Sequence, residues 1–128
     1  MKDAISGFGV FSALAAAVLS ADAAGPVTDL QGFNSCMLAV NTGAVTGAGD
    51  FSIKLQHSDT DVPADFTDVP ADDILGSLPE TLDGDAAYKL GYKGGKRYIR
   101  AIATHNGGTS LAMSALFILG HPYDAPVP

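Results

Sequence analysis

Apolar and polar side chains alternate along several short stretches of this sequence, and each stretch predicts a β-strand. The clearest covers residues 51–56, where every second side chain is large and apolar, as in a strand with one buried face. Residues 86–92 alternate in the same way, with two tyrosines and a leucine on one face. Two compact apolar runs, at 33–41 and 111–119, also predict strands, the first of them buried on both faces.

Glycine-rich turns separate these stretches and predict how the strands connect. Gly94-Gly95 is a two-residue hairpin signal, so residues 86–92 and 96–104 are predicted to pair with each other. Another glycine-rich turn is predicted at 106–108. About seven short strands joined by such turns predict an all-β fold, a small antiparallel β-sandwich or barrel-like domain.

The same pattern divides the chain into three parts. Residues 1–17 carry an alanine run but also two glycines, which predicts either an N-terminal arm or a short helix. Residues 18–120 are predicted to form the β-domain, into which a long acidic loop, 58–85, is inserted. Residues 121–128 contain three prolines and predict an extended C-terminal tail.

The amino-terminal stretch also has some features of a secretory signal, because Lys2 precedes an apolar segment and small residues follow it. Asp3 in the basic region and the glycines within the apolar segment argue against that interpretation. We therefore expect the stretch to belong to the mature protein. It is also too short and too interrupted to span a bilayer, and we expect no membrane association.

Composition and charge narrow the function. The chain has 128 residues, which fits one domain, and its single cysteine, Cys36, excludes an intrachain disulfide. Its formal net charge of −7 argues against nucleic acid as a partner. Nine acidic and no basic residues lie between Asp59 and Asp85, whereas five of the seven basic residues lie between Lys89 and Arg100. This segregation predicts either two surfaces with different neighbours or two solvated loops.

The sequence offers no recognisable catalytic, cofactor or metal site. The three histidines lack metal-ligand spacing, and there is no Gly-x-Ser-x-Gly turn. A phosphate loop ending at Lys96 is excluded, because Leu90 stands where its first glycine should be. An EF-hand loop beginning at Asp59 fails at Ala64 and Pro70, although a weak ion site in the acidic loop stays open. We therefore expect no enzymatic activity, cofactor or metal.

The basic segment is the best candidate for an interaction surface. Three tyrosines are interleaved with its Lys and Arg residues, a mixture typical of protein interfaces and of platforms for single-stranded nucleic acid. The net charge disfavours nucleic acid, and strand tyrosines are also common core residues. The predicted interface comprises Lys89, Tyr92, Lys93, Lys96, Arg97, Tyr98 and Arg100, with His121 from the tail and Phe8 and Phe11 from the arm.

Four segments resemble a family of small proteins that are encoded among the head genes of tailed bacteriophages. They are VTDLQGF at 27–33, FSIKLQHSD at 51–59, GYKGGKRYIR at 91–100 and GHPYDAP at 120–126. The resemblance runs from about residue 18 to the carboxyl end, and it implies a structural virion protein that decorates or cements the capsid exterior by binding the major capsid protein. It also implies synthesis in the host bacterial cytoplasm and a homo-oligomer on the shell, with a trimer favoured.

The sequence leaves two other functions open. A minor protein of the head–tail junction or of the tail would be present in few copies per particle, whereas a decoration protein would be present in many. A secreted β-sandwich that binds a sugar or an ion is the second alternative. It would be cleaved after Ala24 and would show measurable affinity for its ligand.

Overall fold

Two antiparallel β-sheets packed face to face make up the computed structural model, which describes residues 5–122. Sheet I contains, in spatial order, β1 (Gly9–Leu19), β10 (Ser110–Pro122), β4 (Phe33–Thr46), β8 (Ala87–Tyr92) and β7 (Ile74–Leu75). Sheet II contains β2 (Ala23–Ala24), β9 (Tyr98–Gly107), β5 (Asp50–Ser58) and β6 (Thr67–Asp68), with β3 (Thr28–Asp29) also paired to β9. Short 3-10 turns occur at Ile5–Gly7, Pro63–Asp65 and Ala71–Asp73. The predicted all-β antiparallel fold is confirmed, and it is a sandwich.

The inner faces of the two sheets form one apolar core. Every second side chain of β10 from 111 to 119 points inward and is at most 3% exposed. Phe51 and Leu55 of β5 and Ile99 of β9 face them from sheet II and are buried to the same degree. The alternation that predicts β5 is therefore the core-facing pattern of sheet II. Among the described residues, no buried side-chain nitrogen or oxygen lacks a hydrogen-bond partner.

Strand β4 is buried on one face only, which corrects the prediction for residues 33–41. Leu38 and Val40 on its inner face are at most 2% exposed. Met37 and Ala39 on its outer face are only half-buried, because no further layer of the described chain covers them. Both faces of β4 are therefore apolar, but only its inner face is packed against other residues.

A two-stranded ribbon turns a corner from one sheet into the other. β4 continues into β5 and β9 continues into β10, so the β4–β10 pair lies in sheet I and the β5–β9 pair in sheet II. At the corner Ala48 and Gly108 adopt left-handed conformations, with φ of 55° and 70°. A Cβ atom added to Gly108 would overlap the carbonyl oxygen of Ala48. Glycine at 108 therefore lets the two turns of the ribbon lie against each other.

The prediction of an arm or a short helix for residues 1–17 is wrong from Gly9 onward. That segment is strand β1, which pairs along sheet I with β10, with Phe11 opposite Phe117. The alanine run adopts a strand because cross-strand pairing and packing outweigh its intrinsic helix propensity. Residues 5–7 form one 3-10 turn, and residues 1–4 lie outside the described residues.

The first two residues of the predicted C-terminal tail belong to a strand. His121 and Pro122 still belong to β10, where Pro122 pairs with Phe33 at the start of β4. The remainder of the predicted tail, residues 123–128, lies outside the described residues.

The hairpin predicted around Gly94-Gly95 is wrong, because its two strands lie in different sheets. β8 pairs with β4 in sheet I, whereas β9 pairs with β5 in sheet II. Neither glycine has the positive φ that a two-residue hairpin turn requires. Gly94 instead packs directly on the Tyr92 ring, where a side chain would collide with it. Lys93–Arg97 is therefore a crossover between the sheets, and we name it the basic crossover.

The acidic loop 58–85 packs on the sandwich that carries it. Val69 and Leu82, at 8% and 1% exposed, join the core that the two sheets share. Phe66 is 8% exposed and packs under Arg100 on the outer face of sheet II. Within the loop, the 3-10 turn Ala71–Asp73 is followed directly by β7. The carboxylates of the loop are left facing outward.

Candidate functional site

A cleft of about 630 Å³ opens at one end of the sandwich, beside the basic crossover. One wall is formed by the turn that leads into β4, including Leu30 and Phe33, and the other by Tyr92 and the basic crossover. Asp59, which follows β5, lies at its margin. Four of the predicted interface residues, Tyr92, Lys93, Lys96 and Arg97, are therefore brought together at one end of the fold.

Ion pairs hold two of these cations in place. Arg97 donates from Nε and Nη2 to the two carboxylate oxygens of Asp29, at 3.0 and 2.8 Å. Lys96 Nζ lies 2.8 Å from Asp59 Oδ2. The hydrogen bonds from Arg97 hold the pKa of Asp29 below its ordinary value. All four side chains are substantially exposed, so solvent screens the pairs, and they position the crossover more than they stabilise the fold.

Tyr92 ties the crossover to the core and is not an exposed interface residue. It is 5% exposed, and its hydroxyl shares a hydrogen bond of 2.8 Å with Nδ1 of buried His57. The backbone N–H of Lys96 donates to the same hydroxyl at 3.3 Å. Burial raises the pKa of Tyr92. Burial, assisted by the charge of Lys96, lowers the pKa of His57, so the pair is neutral and anchors the crossover from below.

The buried histidine predicts a specific pH dependence of stability. The folded pKa of His57 lies below its ordinary unfolded value, so the unfolded chain binds more protons, and stability falls as pH drops below about 6.5. In urea unfolding at pH 7 and pH 5, His57→Gln is expected to lose less stability on acidification than the wild type. The lowered pKa values of Asp29 and Asp68 act only below about pH 4. Equal losses in both proteins would contradict the prediction.

The remaining basic residues lie on other surfaces, so the single basic face predicted from sequence is divided. Arg100 is on the outer face of sheet II, where Nε and Nη2 donate to Gln56 Oε1 at 2.9 and 2.7 Å. Its guanidinium also lies 4.6 Å from the ring centroid of Phe66, so Arg100 fixes the acidic loop. Lys89 is exposed on the outer face of sheet I. Tyr98 is half-buried beneath Arg97, 5.0 Å from its guanidinium.

Exposed aromatic side chains border the same end of the fold. Phe8 is 46% and Phe11 41% exposed, and the Phe11 ring meets Phe33 edge-on at 6.4 Å. His121 Nδ1 lies 3.0 Å from Ser35 Oγ. We name Phe8, Phe11, Phe33 and His121 the aromatic end. Phe33 belongs to the cleft wall, so the aromatic end and the basic crossover form one surface.

Sequence reasoning missed three contributors to this surface. Phe33 opens a strongly apolar run that predicts only a strand, and Asp29 and Asp59 lie far in sequence from the basic residues 89–100. Their pairing with Arg97 and Lys96 is a product of the fold. Among the described residues, the side chains of Lys89 and Lys93 make no hydrogen bond or ion pair, so Lys93 is the crossover cation that is open to a partner.

The chemistry of the other candidate groups is limited. Within residues 5–122, no three His, Cys, Asp or Glu side chains are grouped so that they could hold a metal ion. Burial raises the pKa of the Cys36 thiol to about 12, which keeps it protonated and unreactive at neutral pH. In the same part of the chain, no helix is long and apolar enough to cross a membrane.

Comparisons with known proteins support the fold. No family model matches the chain, and no curated protein matches it. Among solved structures, the chain is similar to the SPBc2 prophage-derived protein YomS, with a TM-score of 0.56 and 14% sequence identity. The alignment covers 93% of this chain and 97% of YomS. The two chains therefore share an architecture along nearly their whole lengths.

Proposed function

We propose that this chain is a non-enzymatic structural protein of a tailed-phage particle, which decorates the capsid exterior by binding the major capsid protein. Its fold is similar to that of a prophage-derived protein over 93% of this chain. That similarity supports a phage origin, and the resemblance of its segments to proteins encoded among head genes supports a place in the virion.

One observation carries the choice of surface. The four segments that resemble the phage family are distant in sequence, yet each contributes to the end of the sandwich at the cleft. They supply Asp29 with Phe33, Asp59, the basic crossover, and His121. Convergence of separate segments on an exposed surface favours a shared binding role for that surface, since packing alone would not require them to meet there.

The composition of this surface suits a protein partner. Exposed phenylalanines beside a basic side chain supply the large, low-entropy contacts that dominate binding energy at protein interfaces. The carboxylates of Asp29 and Asp59 are occupied by their ion pairs, whereas Lys93 is open. We therefore infer that the capsid surface in contact is apolar with an acidic group that meets Lys93.

Quantitative mass spectrometry of purified particles tests this function directly. A copy number near that of the major capsid protein, or a simple fraction of it, is expected for a decoration protein. A handful of copies would place the chain at the head–tail junction or in the tail. Absence from particles would contradict a virion role altogether.

The binding surface is tested with the double variant Phe8→Ala/Lys93→Glu. Losing an aromatic contact and reversing the open cation is expected to lower occupancy on particles at least about tenfold when the protein is limiting. Arg97 is a poorer choice, because its reversal would place two carboxylates together at Asp29. Thr104→Glu on the outer face of sheet II is the matched control and should bind normally. Unchanged occupancy of the double variant would assign binding to another surface.

A further inference from the structure

One row of residues across the outer face of sheet I is free of polar side chains from one edge of the sheet to the other. Strand pairing aligns one residue from each of its five strands in a row across this face: Val10, Ile118, Met37, Gly91 and Leu75. Leu116 and Ala39 lie in the next row. Val10 is 61%, Leu75 56% and Leu116 43% exposed, so large apolar side chains face water along the whole width of the sheet.

The outer face of sheet II is built differently. Gln56 donates to Asp68 at 2.9 Å and accepts from Arg100, and Lys54 lies 3.1 Å from Asp68. These long side chains bond to one another across the strands and cover the sheet beneath them. The outer face of sheet II is therefore covered by hydrogen-bonded polar side chains, whereas the outer face of sheet I leaves apolar side chains exposed to water.

The outer face of sheet I also differs from the rest of the chain in its charge. The chain has a formal net charge of −7, yet no strand residue that the structure describes on the outer face of sheet I is acidic. Lys89 is the one charged side chain in those strands on this face, and its aliphatic stem can lie along the sheet while the ammonium reaches the rim. Two copies can bring this face together without placing carboxylates opposite each other.

We propose that the outer face of sheet I is the contact between two copies of this chain, which associate as a dimer. Strands about 4.8 Å apart, with residues spaced about 3.3 Å, present a face of roughly 600 Å² per copy. Burial on both copies removes roughly 1,200 Å², which reaches the range of specific protein–protein interfaces. This association goes beyond capsid binding, and it belongs to the isolated chain whether or not the chain binds a capsid.

Two-fold symmetry follows when this face meets the same face of a second copy. Sheets pack face to face at about 10 Å, and a contact between identical faces forms a closed, isologous pair. Dimerisation would also bury the outer face of β4, which is apolar but uncovered in the monomer. The resemblance to phage proteins favours a trimer, whereas this geometry favours a dimer.

Sedimentation equilibrium of the purified chain at about 1–100 µM tests the proposal. The wild type is expected to show a monomer–dimer equilibrium. Leu116→Glu places an unpaired carboxylate in the contact on both copies and is expected to weaken association roughly 100-fold or more. Thr104→Glu adds the same charge on the outer face of sheet II and should leave the dimer unchanged.

Circular dichroism and urea unfolding establish that each variant is folded, and Ser114→Glu, at a polar position on the same face, replaces Leu116→Glu if the latter is not. A wild type that stays monomeric at about 100 µM overturns the proposal. So does a dimer that persists in the Leu116→Glu variant, or one that is lost equally in Thr104→Glu. A monomeric wild type whose capsid binding fails in Leu116→Glu would assign the face to the capsid protein instead.

Discussion

Phe117→Ala is expected to lower the free energy of unfolding by about 3–5 kcal/mol, the range for deleting a buried aromatic ring. Phe117 is fully buried in β10, the strand between β1 and β4, and it pairs with Phe11 on one side and Leu38 on the other. Its ring contacts the core that both sheets share, so the cavity cannot collapse by moving one sheet alone. For a domain that is stable by about 5–15 kcal/mol, such a loss is a large fraction of the total.

The adjacent residue provides the control for this prediction. Leu116 has nearly the same chain environment but points to the outer face of sheet I and is 43% exposed. Leu116→Ala is expected to cost less than about 1 kcal/mol when unfolding is measured at a protein concentration where the chain is monomeric. Equal losses in the two variants, measured by urea titration, would contradict the inward and outward assignment of β10.

Gly108→Ala is expected to destabilise the protein by about 2–4 kcal/mol, through the backbone instead of the core. Gly108 has φ of 70°, which disfavours any side chain, and its Cβ would meet the carbonyl oxygen of Ala48 in the facing turn. The two turns at the ribbon corner would have to separate. Because the ribbon contributes strands to both sheets, the change is expected to lower the stability of the whole sandwich.

Gly107 is the matched control for the corner. It lacks a positive φ, and a Cβ added there would have no atom within 4 Å. Gly107→Ala is therefore expected to change stability by less than about 1 kcal/mol. Thermal and urea unfolding of the two variants compare these positions directly, and a similar loss at both would show that the corner does not depend on the close approach of Gly108 to Ala48.

The sequence predicts a strand correctly where the alternation of apolar and polar residues within that strand is enough to define it. The alternation at 51–56 gave β5 within two residues at either end, because one buried face imposes a period of two. The assignment of strands to sheets is not local in this way. β8 and β9 are separated by a glycine pair that resembles a hairpin turn, yet β8 finds a better apolar partner in β4, where Leu90 lies opposite Leu38.

Strand β1 also could not be predicted from its own residues. Its alanines favour a helix in isolation, and only the pairing with β10, about a hundred residues later in the chain, makes a strand the more stable state. The composition of residues 9–19 does not indicate that they pair with β10.

The residue types of the candidate site could be predicted, but their partners could not. The sequence singled out Arg97, Lys96 and the exposed phenylalanines as candidates. Arg97 meets an aspartate that lies 68 positions away in the chain, and the fold alone brings them together. Tyr92 illustrates the converse error, because a tyrosine between lysines suits an interface by composition, whereas its hydroxyl is used by buried His57.

The pairing of β1 with β10 has a consequence for how newly made chains fold. β1 is the first strand of the described chain to be synthesised, and its partner in sheet I is the last. Throughout most of synthesis, 11 residues without a charge or a proline have no complementary strand to join, which exposes them to chaperones and to aggregation. Closing so long a loop also predicts slow folding, on the scale of milliseconds to seconds. Slower synthesis of the chain is therefore expected to give a higher yield of native protein.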